Sequence, residues 1–158
     1  MKREDLSPEA LARRARQRLL FLLDKRDYTA WQLKMKLQRS GYPEEVIEDA
    51  VRYVIDLGIV NDRNYARRYI ECRKQSVSLR KIEQDLALKG VNRELLKECI
   101  EEAGDTDERP GIMKLLKKRR YDAECADAAE KRKQFSYLLG KGYKPGDISY
   151  CLECSVSL

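Results

Sequence analysis

Three segments of the chain end in the same pattern, in which a leucine stands four residues before a glycine and an apolar residue follows the glycine. The segments cover residues 37–42, 86–91 and 138–143. A glycine just after a helix adopts a left-handed conformation without a Cβ penalty, and the next apolar residue folds back on the leucine. Each pattern therefore predicts a helix that stops at its glycine, with positive φ at Gly41, Gly90 and Gly142.

The glycine stops recur at a nearly constant interval, which indicates a repeated unit. The three glycines are 49 and 52 residues apart, and apolar residues return six, nine and ten positions after each. A unit of this length buries its apolar face by stacking on its neighbours. Charged residues make up 38% of the chain, a composition typical of amphipathic helices. The sequence thus predicts an all-α fold of three tandem three-helix repeats, helix-turn-helix-like modules that form an elongated, curved solenoid.

The same pattern suggests where the repeats begin and end. The N-terminal helix and first repeat cover residues 1–59, the second repeat 60–104, a linker 105–110 and the third repeat 111–158. The linker is placed at 105–110 because this stretch is polar and contains turn-forming residues. Trp31, in the first repeat, is expected to be a core or inter-module anchor, since a large aromatic ring is more often packed than used for binding.

The sequence carries no sign of a membrane span or an export signal. No apolar run approaches the roughly 18 residues of a spanning helix, and the charged first five residues lack the apolar region of a signal peptide. We expect a cytoplasmic protein, and the high charge content favours a monomer.

The five cysteines are expected to be reduced core residues rather than ligands. They are Cys72, Cys99, Cys125, Cys151 and Cys154. The last two form a C-x-x-C spacing, but without a second pair or any histidine it indicates zinc only weakly. No metal or cofactor is predicted. Catalysis is not predicted either, because the chain lacks a glycine-rich phosphate loop and a nucleophile beside an obvious base.

Positive charge is concentrated in the second repeat. Residues 63–81 contain seven Lys or Arg and one acid, an excess equal to the +6 of the whole chain. On a helix, Arg63, Arg67 and Lys74 fall within roughly 40° of arc, opposite the apolar side. This stripe is suited to a polyanion or an acidic protein surface, with a solvated face as the alternative. The candidate binding residues here are Arg63, Arg67, Arg68, Arg73, Lys74, Arg80 and Lys81.

A second basic cluster lies in the third repeat. Its candidate binding residues are Lys117, Lys118, Arg119, Arg120, Lys131, Arg132 and Lys133. The last three lie near the start of the helix that ends at Gly142, where cations oppose the helix dipole at about 0.3–1 kcal/mol each, so a bound phosphate or acidic partner would relieve them. Aromatic residues do not interleave with either cluster, although Tyr121 and Tyr143 could stack on bases. Electrostatic, sequence-independent binding is therefore expected.

Three-helix units also suggest helix-turn-helix domains that read an operator. Such a domain places a recognition helix in the major groove. The third helices of the first two repeats instead carry acids at positions 44, 45, 48 and 49 and at 94, 98, 101 and 102. Acidic helices are repelled by DNA phosphates, so operator recognition is disfavoured.

Several motifs together resemble the bacterial RecX family, regulators of the RecA recombinase. They are LKMKL at 33–37 running to Gly41, GIVND at 58–62 followed by YARRYI at 65–70, IEQDL at 82–86, KKRRY at 117–121 and KRKQF at 131–135. The resemblance covers essentially the whole chain. The family is known for tandem three-helix repeats, which the glycine pattern indicates independently.

The resemblance implies a non-enzymatic protein that docks along RecA–single-stranded DNA filaments. It would regulate RecA, mainly negatively, by limiting filament growth, ATPase activity and strand exchange in recombination, DNA repair and the SOS response. Its partners would be the RecA filament and single-stranded DNA, the latter bound weakly and without sequence preference. An elongated basic solenoid could follow a helical groove and add affinity module by module. The alternatives are a general nucleic-acid-binding module without a recombinase partner and a structural helical-repeat adaptor.

Overall fold

The computed structural model describes residues 6–154, which form helices joined by short turns, with no β-strand among them. The first three helices are α1 (Pro8–Lys25), α2 (Ala30–Arg39) and α3 (Glu44–Asp56). The next three are α4 (Asp62–Arg73), α5 (Leu79–Leu88) and α6 (Arg93–Ala103). The last three are α7 (Arg109–Lys118), α8 (Ala128–Gly140) and α9 (Pro145–Glu153). The all-α prediction is confirmed, and α7 begins inside the segment 105–110 that was expected to be a linker.

All three glycine stops have the predicted left-handed cap. The φ angle is +79° at Gly41, +82° at Gly90 and +90° at Gly142. After each glycine, the apolar residue donates its backbone N–H to the carbonyl of the leucine five positions earlier, and the glycine donates to the carbonyl three positions earlier. This pair of bonds is the Schellman motif. The leucine-to-glycine pattern therefore identified real helix ends.

The C-terminal end of α7 has the same cap without a glycine. Arg120 has a φ of +57°, and the Tyr121 N–H donates to the carbonyl of Leu116 at 3.0 Å. An L-residue in this conformation costs roughly 1–2 kcal/mol relative to the right-handed form. A search for glycine stops misses this helix end.

Each group of three helices encloses its own hydrophobic cluster, so we call α1–α3, α4–α6 and α7–α9 modules 1, 2 and 3. The third helix of each module packs against both of the others. Val60, which follows α3, packs into the cluster of module 1. The buried residues at the centre of the modules include Leu19, Leu33 and Ile47, then Ile70, Ile82 and Leu96, then Ile112, Leu138 and Ile148.

The cysteines only partly follow the expectation that they are core residues. Cys99 and Cys151 are buried, as predicted, but Cys72 and Cys125 are exposed and Cys154 is half-buried. Cys72 follows the buried Ile70 by two residues, a rotation of roughly 200° that turns it to the opposite face of α4. Cys125 lies in the turn between α7 and α8. The prediction was therefore wrong for these two exposed thiols.

Modules 1 and 2 meet where the C-terminal end of α5 reaches the N-terminal end of α2. Thr29, the N-cap of α2, accepts a hydrogen bond from the N–H of Gln32 and donates its hydroxyl to the carbonyl of Lys89 at 2.6 Å. Asp62, at the start of α4, accepts from the N–H of Ala30 at 3.0 Å. A helix leaves these terminal N–H and carbonyl groups unpaired. The two modules thus satisfy each other's helix ends.

Modules 2 and 3 are joined by the same two contacts. Ser78, the N-cap of α5, donates its hydroxyl to the carbonyl of Lys141 at 2.7 Å. Glu108, just before α7, accepts from the N–H of Leu79 at 2.7 Å. The middle helices α8, α5 and α2 therefore follow one another end to end, and each C-terminal carbonyl end faces a positive N-terminal end.

Two of the glycine stops also lie at these joints. A Cβ on Gly90 would lie 2.3 Å from the Cβ of Trp31, and a Cβ on Gly142 would lie 2.7 Å from the Oγ of Ser78. The missing side chains let the modules approach closely. Trp31, at 44% exposure, is thus an inter-module contact residue and not part of the core.

Candidate nucleic-acid and partner interface

Two arginines of the predicted stripe pair with acidic side chains of α6. Arg63 donates to Glu98 and, at 3.0 Å, to Glu102, and Arg67 donates to the other oxygen of Glu102 at 2.9 Å. The hydrogen bond to Glu98 raises the pKa of Arg63 above its ordinary value. These arginines fasten α4 to α6, and their charge is compensated inside module 2.

Four other candidates also have ion-pair partners within the chain. The pairs are Lys74 with Glu71 at 2.8 Å, Lys81 with Asp85 at 3.0 Å, Arg68 with Asp27 at 3.0 Å and Lys131 with Glu153 at 3.1 Å. Arg68 and Asp27 belong to different modules. Such solvent-exposed pairs are generally worth about 0–1 kcal/mol, so a strongly charged ligand can compete with them.

Six candidates are exposed and take part in neither an ion pair nor a cation–π contact within residues 6–154. They are Arg80, Lys117, Lys118, Arg120, Arg132 and Lys133. Five of the six belong to module 3. This part of the second basic cluster keeps its full charge at the surface.

The start of α8 does not need an external anion. The helix begins at Ala128, and its N-cap Asp127 accepts a hydrogen bond from the N–H of Glu130 at 2.8 Å. A carboxylate thus already occupies the positive end of the helix dipole. The expectation that Lys131, Arg132 and Lys133 would create a phosphate site there through the dipole loses its physical basis.

Neither of the tyrosines suggested for base stacking is available for it. Tyr121 is 6% exposed and donates its hydroxyl to the carbonyl of Leu152 at 2.8 Å. Tyr143 is 3% exposed and donates to the carbonyl of Ser76, in module 2, at 3.2 Å. That suggestion was wrong because each follows a helix stop and folds back into its module core.

A different set of tyrosines does interleave with cations, beginning in module 1. The guanidinium of Arg26 lies 4.5 Å from the centre of the Tyr28 ring, and the ammonium of Lys36 lies 5.2 Å from it. Tyr28 itself is 8% exposed. It therefore holds two cations at the surface by cation–π attraction and is not a stacking platform itself.

Module 2 continues this arrangement with two half-buried tyrosines. Tyr65 and Tyr69 stack one helical turn apart, with ring centres 6.4 Å apart. Arg73 lies 4.3 Å from the Tyr69 ring and Lys89 lies 5.8 Å from it. Burial raises the pKa of Tyr65, while Arg26 of module 1 and Arg73 partly oppose that shift. The positive charges of both arginines thus act on the Tyr65 hydroxyl, although Arg26 belongs to module 1.

Module 3 completes the series. Arg119 lies 3.8 Å from the centre of the Tyr137 ring and Lys141 lies 5.4 Å from it. Arg119 also donates to the side chain of Gln134 at 2.6 Å. Lys141 and Arg73 line the same cavity at the joint of modules 2 and 3. The tyrosines and cations thus span all three modules.

We call this set of residues the tyrosine–cation band. It comprises Tyr28, Tyr65, Tyr69 and Tyr137 with Arg26, Lys36, Arg73, Lys89, Arg119 and Lys141. Only Arg73 and Arg119 were candidates from the sequence. Lys89 was missed because it and the Tyr69 ring come from different helices, whereas Lys141 lies only four residues after Tyr137. One signal was available, since Tyr65, Tyr69 and Arg73 recur at four-residue spacing.

Other kinds of site are not supported by the geometry. Across residues 6–154 no group of three or more Cys, Asp or Glu side chains is arranged to hold a metal ion. Burial raises the pKa of Cys151 to about 11, so this thiol stays protonated. None of the described helices is both long and apolar enough to cross a membrane.

Comparison with known proteins gives the family. The family model for the first three-helix domain of RecX matches residues 15–53, which span α2 and most of α1 and α3. The regulatory protein RecX of Trichlorobacter lovleyi is 32% identical over 139 residues, covering 85% of this chain and 90% of that protein. The chain belongs to the RecX family. The RecX of Pasteurella multocida is 30% identical over 131 residues, covering 82% and 80% of the two chains.

Solved RecX structures have the same fold. The crystal structure of RecX from Lactobacillus salivarius superposes with a TM-score of 0.77 and 21% identity, covering 90% of this chain and 95% of that one. A second crystal structure of regulatory protein RecX gives a TM-score of 0.78 at 20% identity and covers 72% of that chain. The resemblance to RecX inferred from the motifs is thereby confirmed for family and fold.

Proposed function

We propose that this chain regulates the RecA recombinase, mainly negatively, by binding along RecA–single-stranded DNA filaments. There it limits filament growth, ATPase activity and strand exchange, and so acts in recombination, DNA repair and the SOS response. It works by occupancy and not by catalysis, as a monomer in the cytoplasm. Support comes from membership of the RecX family, whose relatives are named regulatory proteins.

The observation that carries the proposal is the continuity of the tyrosine–cation band over three modules joined end to end. A polyanionic filament presents charge at regular intervals, and three linked modules that each bind weakly gain affinity through their high local concentration. Cations held by ring faces lose less freedom on binding than free side chains do. A band of this kind therefore suits an extended, repetitive partner better than a compact one.

The paired arginines have a different role in this proposal. Arg63 and Arg67 hold α6 against α4 and keep module 2 in shape, and the exposed cations Lys117, Lys118, Arg132 and Lys133 extend the positive field around the band. Since electrostatic attraction raises association rates and falls with ionic strength, these lysines and arginines act mainly on the rate of encounter.

The decisive assay is RecA-catalysed strand exchange and ATP hydrolysis on single-stranded DNA with added purified protein. We expect inhibition well below one molecule per recombinase monomer. A band variant, Arg26→Gln/Arg73→Gln/Lys141→Gln, should lose most of it. A matched control, Arg93→Gln/Lys97→Gln/Lys114→Gln, removes three exposed cations that form no cation–π pair within the described part of the chain, and it should inhibit like the parent.

Bare single-stranded DNA separates the two kinds of contact. If the band meets DNA phosphates, the band variant should bind DNA less tightly, and its salt slope should fall by roughly 0.7 per lost contact. If the band meets recombinase, DNA binding survives while inhibition is lost. No inhibition by the parent at equimolar protein would refute the proposal, and retained DNA binding would then favour the alternative, a general nucleic-acid-binding module.

A further inference from the structure

A cavity opens at the joint between modules 2 and 3. Three cationic side chains line it, Arg73 and Lys81 from module 2 and Lys141 from module 3, together with the carboxylate of Asp85. The cavity measures about 270 Å³, just below the roughly 300–1,000 Å³ of sites that enclose drug-sized ligands. It therefore suits one small charged group better than a whole cofactor.

The charges at this cavity are unbalanced in favour of an anion. Lys81 pairs with Asp85 at 3.0 Å, and the Tyr69 hydroxyl donates to the other oxygen of Asp85 at 3.3 Å. Each oxygen of the Asp85 carboxylate thus already has a partner. Arg73 and Lys141 form no ion pair with any side chain in residues 6–154, so two positive charges remain uncompensated.

The surroundings make these two charges more effective. Arg73 rests on the ring of Tyr69 and Lys141 faces the ring of Tyr137, which fixes each near the cavity. Val77, Leu115 and the buried ring of Tyr143 form apolar parts of the wall. Apolar walls lower the local dielectric constant and strengthen the attraction between opposite charges.

The N-terminal end of α5 adds little to the attraction of an anion into the cavity. Ser78 is part of the wall, but its hydroxyl already binds Lys141 and its own helix. The first N–H of α5 is taken by Glu108, which does not line the cavity. The side-chain cations, and not the helix dipole, therefore define the site.

We propose that this cavity binds a phosphate group and that the bound phosphate fixes the angle between modules 2 and 3. Phosphate is the anion for which an arginine fork and a lysine point charge are jointly suited. A phosphate held by Arg73 and Lys141 would add an ionic link across a joint that otherwise rests on hydrogen bonds. The inference rests on the proposed function only in placing the cavity on the tyrosine–cation band, because phosphate binding needs no recombinase.

The test is a titration of the 158-residue chain, labelled with nitrogen-15, with inorganic phosphate at constant ionic strength. We expect saturable shifts of the backbone amide signals of residues 78–81 and 141–143. Arg73→Gln/Lys141→Gln should weaken phosphate binding by about tenfold or more, since a hydrogen bond to a charged group is worth about 1.5–3 kcal/mol. Lys97→Gln, which removes an exposed cation of α6, is the matched control and should bind like the parent.

Neither substitution removes a joint contact, because Lys141 uses its backbone carbonyl there. Equal affinity in the double variant and the parent would overturn the proposal. Shifts that fail to saturate, or that spread evenly over the exposed cations, would overturn it too.

A single-stranded thymidine oligonucleotide identifies the source of the phosphate. If it competes with inorganic phosphate at these amides, the natural ligand is a nucleic-acid backbone. If it binds elsewhere while phosphate still fills the cavity, the ligand is a small free phosphate compound. A protein that binds phosphate here but leaves RecA unaffected would refute the proposed function and uphold the site.

Spin labels on two exposed cysteines can measure changes in the angle between modules 2 and 3. Cys72 lies in module 2 and Cys125 in module 3, so nitroxide labels on both, with Cys154→Ser to prevent extra labelling, measure the distance across the joint. Phosphate should narrow the distance distribution in the parent and leave it unchanged in Arg73→Gln/Lys141→Gln. An equally broad distribution with and without saturating phosphate would overturn the claim that the ligand fixes the angle.

Discussion

The hydroxyl oxygen of Thr29 lies 2.6 Å from the carbonyl oxygen of Lys89, a residue 60 positions later in the chain. One side chain thereby caps its own helix and closes the joint between two modules. Ser78 and Lys141 form the same contact at the next joint, at 2.7 Å. A donor at the N-cap is therefore part of how these modules assemble.

This dual role predicts an unusual order of stability among variants of Thr29. Thr29→Val loses both the cap and the joint bond and should lower the free energy of unfolding by about 1–2 kcal/mol. Thr29→Ser keeps both bonds and should cost much less. Thr29→Asp keeps the cap but directs a carboxylate at the carbonyl of Lys89, close to Asp62. Urea unfolding should therefore show Thr29→Asp to be no more stable than Thr29→Val, although aspartate is normally an excellent N-cap; a stability equal to that of the parent would contradict the joint bond.

Gly90 should be less tolerant of alanine than another left-handed glycine. Gly58→Ala is the matched control, because Gly58 has a φ of +72° and a Cβ there would have no neighbour within 4 Å. Forcing a positive φ costs about 1 kcal/mol at either site. Gly90→Ala should cost more, since its Cβ would also collide with Trp31. Trp31 is the single tryptophan of the chain, so its fluorescence should shift in folded Gly90→Ala and stay unchanged in Gly58→Ala.

Reversing the charge of Arg63 should destabilise module 2. Arg63→Glu places a carboxylate beside Glu98 and Glu102 on α6, so the fold loses its clamp and gains repulsion. Thermal unfolding should show a lower Tm for Arg63→Glu than for Arg63→Gln. The gap should shrink in molar salt, where the Debye length is about 3 Å. Lys114→Glu is the control on an exposed lysine of α7 that forms no ion pair within residues 6–154; a Tm for Arg63→Glu as high as that of Lys114→Glu would rule out the clamp.

Stability should fall at alkaline pH through Tyr143. Burial, reinforced by the negative charge of Glu108, raises the pKa of Tyr143 to about 12, against about 10 in an unfolded chain. Above pH 10 the unfolded chain releases this proton while the folded chain keeps it, so stability decreases between about pH 10 and pH 12. Urea midpoints near pH 8 and near pH 11 should differ less in Tyr143→Phe than in the parent. Tyr150→Phe removes an exposed hydroxyl and should keep the parental difference.

Local patterns in the sequence were sufficient for the helix ends that carry a glycine. The spacing of leucine, glycine and apolar residue is a property of one helix end, so Gly41, Gly90 and Gly142 could be recognised without knowledge of the rest of the fold. Arg120 escaped because the left-handed cap there lacks its usual residue. The C-terminal end of α7 is closed by the same pair of backbone hydrogen bonds, but the residue with positive φ there is an arginine.

The candidate interface was harder to predict because charge in a sequence does not show its partners. Arg63 and Arg67 formed a convincing stripe, yet their acids lie 35 and 39 residues away on α6. The reverse holds for Lys141, whose neighbours Tyr137 and Arg73 combine only once modules 2 and 3 meet. Ion pairs and ring contacts between distant residues depend on the tertiary structure. The spacing of residues along the sequence does not reveal them.

The joint contact has a direction, and Asp127 lacks the donor that this contact needs. Thr29 and Ser78 cap α2 and α5 with hydroxyls, which donate onward to a carbonyl of the following module. Asp127 caps α8 with a carboxylate, which only accepts. A fourth unit could not dock on α8 by the contact that joins the first three, because two acceptors would face each other. The onward donation thus depends on which side chain caps the middle helix, since threonine and serine supply it and aspartate does not.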